Sequence, residues 1–77
     1  MCLAIPAKII NIDGDYAAVD IMGLESSVNI QLIEKVNVGD YILVHAGCGI
    51  QKIDINYFNY LQEVLKEAIN SEDSYEG

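Results

Sequence analysis

Residues 3–22 read LAIPAKIINIDGDYAAVDIM, and the alternation of their apolar residues decides the fold. Ile5, Ala7 and Ile9 fall on one face of an extended chain, because side chains alternate across a strand. Ile10 and Ile12 then fall on the other face. A change of parity inside one apolar run marks a bulge, or a strand that bends between two faces. Asp13-Gly14-Asp15 follows, and Asp-Gly between apolar runs is a strong hairpin signal. From Tyr16 to Met22 the alternation resumes, with Ala17, Val19 and Ile21 in phase. The stretch predicts two strands, Leu3 to Ile12 and Tyr16 to Met22, joined by a tight turn.

Further along, Val28, Ile30 and Leu32 alternate with Asn29 and Gln31, which predicts a half-buried third strand from Glu25 to Leu32. Val36-Asn37-Val38-Gly39-Asp40 turns the chain. Tyr41 to Ala46 is nearly all apolar and predicts a central fourth strand. Gly47-Cys48-Gly49 interrupts it, and the fifth strand is expected at Ile50 to Ile53. Then the period changes. Asp54 is a good N-cap, since its carboxylate can accept a free amide of the first helical turn. Phe58, Leu61, Val64, Leu65, Ala68 and Ile69 recur every three or four residues, one apolar stripe of a helix from Ile55 to Asn70. Glu63, Lys66 and Glu67 lie opposite. The polar run SEDSYEG, 71–77, is expected to be a flexible acidic tail.

The pattern predicts a mostly β, α+β domain. Five short strands hide their edges best by curling into a small barrel, here over residues 1–53, with a C-terminal helix over 54–70. Seventy-seven residues allow one small core, and a hydrophobic content of 52% suits a compact fold rather than disorder. Twelve Asp and Glu face four Lys, with no Arg, a net charge of −8. That balance argues against nucleic acid, whose phosphates need a basic footprint, and against anionic membranes. The start has no basic n-region and Lys8 interrupts its apolar run, so no signal peptide is expected. No stretch approaches the roughly 20 apolar residues of a membrane span. The expected location is the cytoplasm, where thiols stay reduced.

Three side chains carry candidate chemistry. By residue type alone, Cys2 reads most simply as a small apolar residue opening a strand. The chemical alternative follows if Met1 is removed. The α-amino group then lies beside the thiol and favours thiolate, a soft ligand and nucleophile. His45, the single histidine, ends a buried-looking strand beside a glycine. It reads either as a satisfied structural residue or as a ligand or base near a thiol. Cys48 lies between two glycines, three positions after His45. It reads as a small thiol at a loop or as a third N/S donor, although the spacing is not that of structural zinc. Neither GxGxxG nor GKS/T occurs, so no nucleotide loop is expected. Tyr57 and Tyr60 fall outside the helix stripe and are candidates for a partner surface.

MCLAIPAKI at residues 1–9, VDIMG at 19–23 and VGDYILVHAG at 38–47, in that order, resemble the HypC/HupF family of hydrogenase maturation factors. The resemblance covers Met1 to about Asp54. It implies an OB-like five-stranded barrel with a C-terminal helix. It also implies a chaperone, not an enzyme, that helps build the Fe(CN)2CO group of [NiFe]-hydrogenases. The implied partners are a HypD-like protein and the precursor of the hydrogenase large subunit. No permanent cofactor is implied, only transient iron or Fe(CN)2CO. The family's N-terminal cysteine maps onto Cys2 and its strand-end histidine onto His45; both are implied iron ligands, with Cys48 as a possible third. Cys2, Leu3, Pro6 and His45 form the implied partner-binding set. The resemblance breaks at Cys48, where the family more often has an aromatic residue, and at the helix start Ile55-Asn56-Tyr57-Phe58, where it has more acidic ones.

Two other classes of function compete on the residues alone. One is a small thiol- or metal-dependent enzyme using Cys2 and His45, with or without Cys48, against which stand the lack of Arg and of an oxyanion device. The other is a small-barrel binding module with a different ligand, since a fold does not fix a function.

Overall fold

The computed structural model describes the backbone over residues 4–76 and the side chains over 4–68. Five strands, β1 (Ile5–Asp13), β2 (Tyr16–Ile21), β3 (Leu24–Asn29), β4 (Tyr41–His45) and β5 (Cys48–Ile53), are followed by one helix, α1 (Ile55–Glu76). The strands close into a barrel in the order β1-β2-β3-β5-β4. The fold class predicted from the alternation is the one observed.

The parity change in β1 is a bulge. Ile9 pairs with Val19 and Asn11 with Ala18, so Ile10 has no partner on β2. Ile9 is buried and Ile12 packs against the core, whereas Ile10 turns outward. One inserted residue thus lets β1 pair first with β4, over Ile5 to Lys8, and then with β2, over Lys8 to Asp13. Pro6 sits where β1 has β4 on one side and no β2 partner on the other, a place where its missing N–H is tolerated. The β1–β2 turn has Gly14 at a φ of 62°, as a type II′ turn requires at its first central position.

Ala7, Ile9, Ala17, Val19, Val28, Ile30, Ile42 and Val44 form the core, with Ile12, Ile21, Ile33 and Val36 packed at its margin. Three expectations need correction. The third strand ends at Asn29, and Leu32 is 69% exposed. The Asn29 side chain accepts the Gln31 amide at 2.9 Å, an Asx-type turn that draws the chain out of the sheet. Ile33 then takes up the core margin in place of Leu32. The fifth strand begins at Cys48, not Ile50. The helix runs past Asn70 to Glu76, through the stretch expected as a tail. No Gly or Pro interrupts residues 55–76, so nothing local stops the helix before Gly77.

Asp54 caps α1 as predicted: its carboxylate accepts the Tyr57 amide at 2.8 Å, and its carbonyl accepts the Phe58 amide at 2.9 Å. The first turns dock on the outside of the barrel, where the Phe58 ring lies 4.3 Å from that of Tyr41. Phe58, Leu61 and Leu65 are half-buried, but Val64 and Ala68 of the expected stripe are exposed. A helix of 22 residues is about 33 Å long, and the molecule measures 45 Å along its longest axis. The helix therefore outreaches the small barrel, and only its near part finds a surface to cover.

Candidate functional site

The site is built at one end of the barrel by the β4–β5 hairpin and the beginning of β1. His45 and Cys48 are directly paired across that hairpin. Only Ala46 and Gly47 separate them, and both have positive φ, 54° and 79°, as a type I′ turn demands. Val44 and Gly49, the inner neighbours, are buried, so strand alternation turns His45 and Cys48 to the outer face. Both are half-buried there. Directly opposed residues of an antiparallel pair hold their Cβ atoms about 4.5–5.5 Å apart on one face.

Gly49 makes this end of the barrel possible. A Cβ there would come within 2.8 Å of Ile33 Cδ1 and 3.0 Å of Ile42 Cδ1. Its neighbour Cys48 pairs with Asn29 in the parallel contact that closes the barrel, and the Asn29 amide donates to the Gly47 carbonyl at 3.0 Å. Gly47 completes the turn, and Ile50 is skipped in the β4–β5 register.

β1 approaches the same end from the other side of β4. Ile5 pairs with Val44 and Pro6 with Leu43, and Pro6 is buried. Ile5 therefore sits level with the end of β4, next to the strand position that precedes His45. Cys2 and Leu3, both expected site residues, lie outside the described residues. Among the expected site residues that are described, the structure brings His45 and Cys48 together and puts Pro6 on the adjacent strand. No set of three or more metal-ligating side chains occurs among the described residues.

The direct His45–Cys48 pairing was missed by reading Gly47-Cys48-Gly49 as an interruption. The signal was present, since two residues ending in Gly between an apolar strand and a further run make a hairpin turn. Ala46 is strained in it, because a left-handed conformation costs an L-residue about 1–2 kcal/mol. Ala46→Asn, which creates the favoured Asn-Gly turn, is expected to raise the thermal midpoint by about 2–6 °C. A midpoint that falls in a calorimetric scan would reject the turn assignment.

Comparison with known proteins gives a consistent picture. The model of the HupF/HypC family matches residues 1–65. The chain is 45% identical over 56 residues to "Hydrogenase maturation factor HypC" of Helicobacter hepaticus, covering 70% of this chain and 65% of that protein. The protein of the same name from Cupriavidus necator is 42% identical over 55 residues, covering 70% and 61%. That of Escherichia coli K12 is 33% identical over 60 residues, covering 70% and 67%. The chain thus spans a little under two thirds of the length of the first two relatives.

Proposed function

The chain belongs to the HupF/HypC family, and on that premise we propose that it is a hydrogenase maturation chaperone with no turnover of its own. In this reading it helps assemble the Fe(CN)2CO group and deliver it to the precursor of a [NiFe]-hydrogenase large subunit. A HypD-like protein is the partner on the assembly side. Iron is cargo, held transiently by the Cys2 thiolate with His45 as second donor or orienting group. Leu3 and Pro6 belong to the surface that meets the partner, and the work takes place in the cytoplasm.

One observation carries this reading: the family match spans residues 1–65 and so takes in both Cys2 and the hairpin that presents His45. The chemistry supports it. Iron carrying CO and cyanide takes soft donors, and thiolate is one. A carrier must release what it holds, so an incomplete ligand set serves better than a closed four-ligand cage. β1 is anchored through Ile5 and the buried Pro6, on the strand beside the one that ends in His45.

The acidic surface directs the choice of partner toward proteins and away from nucleic acid. Among the described residues no helix is long and apolar enough to cross a membrane. The test is recovery of the tagged chain from anaerobically grown cells that make a [NiFe]-hydrogenase. A HypD-like protein and the large-subunit precursor are expected to come with it. Recovery of the chain alone, after mild anaerobic lysis and with the large-subunit precursor detected in the same lysate, would reject the reading.

A further inference from the structure

Cys48 has no part in the function proposed above. It is nevertheless the residue placed directly opposite His45, on the same outer face of a hairpin whose turn is only two residues long. Cβ atoms about 5 Å apart let an imidazole nitrogen and a thiolate sulfur reach one ion at about 2.0–2.3 Å each. The pair is prepared for this. The turn sets the spacing, the adjoining parallel contact at Asn29 fixes the strand, and both side chains are half-buried. Ordering them on an ion therefore costs less rotamer entropy than ordering two free surface side chains.

We infer that His45 and Cys48 form a two-donor nitrogen–sulfur site for a soft or borderline divalent cation, ferrous iron being the class that fits the cargo. Binding transfers the Cys48 thiol proton to solvent and forms a metal–thiolate bond; no electron is moved. No third ligating side chain among the described residues joins the pair, so further coordination positions on the ion are left for other donors. The inference rests on the proposed function for the identity of the metal, not for the existence of the site.

Anaerobic titration of the full chain with Co(II) tests it, read by the thiolate-to-cobalt charge-transfer absorption. Cys2→Ser is expected to keep a one-thiolate band. That band is expected to vanish when Cys48→Ser is added. Adding His45→Ala to Cys2→Ser is expected to weaken cobalt binding by about 10–100-fold. Circular dichroism checks each fold, and alkylation of Cys48 in folded Cys2→Ser replaces the Cys48 variant if that variant does not fold. Absence of a thiolate band in Cys2→Ser at saturating cobalt overturns the inference, as does unchanged affinity after His45→Ala. If Cys2→Ala still matures hydrogenase while the cobalt band behaves as expected, the role proposed for Cys2 fails and the site stands. If maturation requires Cys2 but Cys2→Ser binds no cobalt through thiolate, the site fails and the function stands.

Discussion

Replacing Cys2 with alanine is expected to reduce hydrogenase maturation to the level of cells that lack the chain, and to leave the fold unchanged. The two halves of this expectation have separate causes. Among the described residues, Ile5 is the first that pairs in β1 and Ala7 the first of the core cluster, and Cys2 precedes both in the chain. Substitution there is expected to change stability by no more than about 0.5 kcal/mol, the usual range away from packed features. The functional loss follows from the donor. Serine keeps the size of cysteine but offers a hard hydroxyl in place of a soft thiolate, so Cys2→Ser is expected to fail as Cys2→Ala does. Hydrogenase activity in a complemented deletion strain, with the thermal midpoint of each purified variant, checks both halves. Full maturation by either variant would remove Cys2 from the mechanism.

The same variants separate a chaperone from a small thiol enzyme. An enzyme using Cys2 as nucleophile turns over a substrate in isolation, with ester, disulfide and peroxide as the generic classes to try. A carrier shows no Cys2-dependent turnover and acts only with its partners present. Two clefts open among the described residues. The larger is an open cleft lined by residues such as Ile12, Asp15, Ile30 and Lys35, at the β1–β2 turn and the β3 exit, and it includes neither His45 nor Cys48. The other lies along the β1 bulge, lined by Lys8, Ile10, Asp20 and Val38.

The parts of this fold that were legible in the sequence are those encoded by neighbours. The bulge at Ile10 shows as a parity change, the first hairpin as Asp-Gly, and the start of the helix as Asp54 ahead of a new period. The parts that escaped depend on competition or on distance. Leu32 continues the alternation of β3 but is exposed, because the Asn29 side chain captures the Gln31 amide and ends the strand first. The parallel contact of Asn29 with Cys48 closes the barrel between residues far apart in the chain, and pairing of that kind leaves no local pattern. Gly49 reads as a breaker although its place is inside β5, since the reason for glycine is the crowding by Ile33 and Ile42. At the site, His45 was found from its strand end, whereas its cross-strand partner was hidden by the glycines on either side.

The largest loss of stability is expected from Ile42→Ala. Ile42 is fully buried in the core, opposite Ala7 on β1 and Lys52 on β5. Removing its outer carbons forfeits their burial and leaves a cavity, at a cost of about 2–5 kcal/mol. The upper part of that range is expected, because β4 is held between two paired strands of a closed barrel and cannot move in to fill the space. Total stability for 77 residues is about 4–12 kcal/mol, so one substitution removes a third or more of it. Gly49 offers an internal check on this account. Gly49→Ala places its Cβ 2.8 Å from Ile33 Cδ1, which lies at the core margin and can yield, and 3.0 Å from Ile42 Cδ1, which cannot. Alone it is expected to cost about 1–3 kcal/mol by overpacking. In the Ile42→Ala background the added methyl enters vacated space, so the double variant is expected to be more stable than the sum of the single losses by about 0.5–2 kcal/mol. Urea midpoints at constant m-value measure all four proteins. Strict additivity would show that Gly49 is set by something other than contact with Ile42, and would return the closure of the barrel to Ile33 and Asn29 alone.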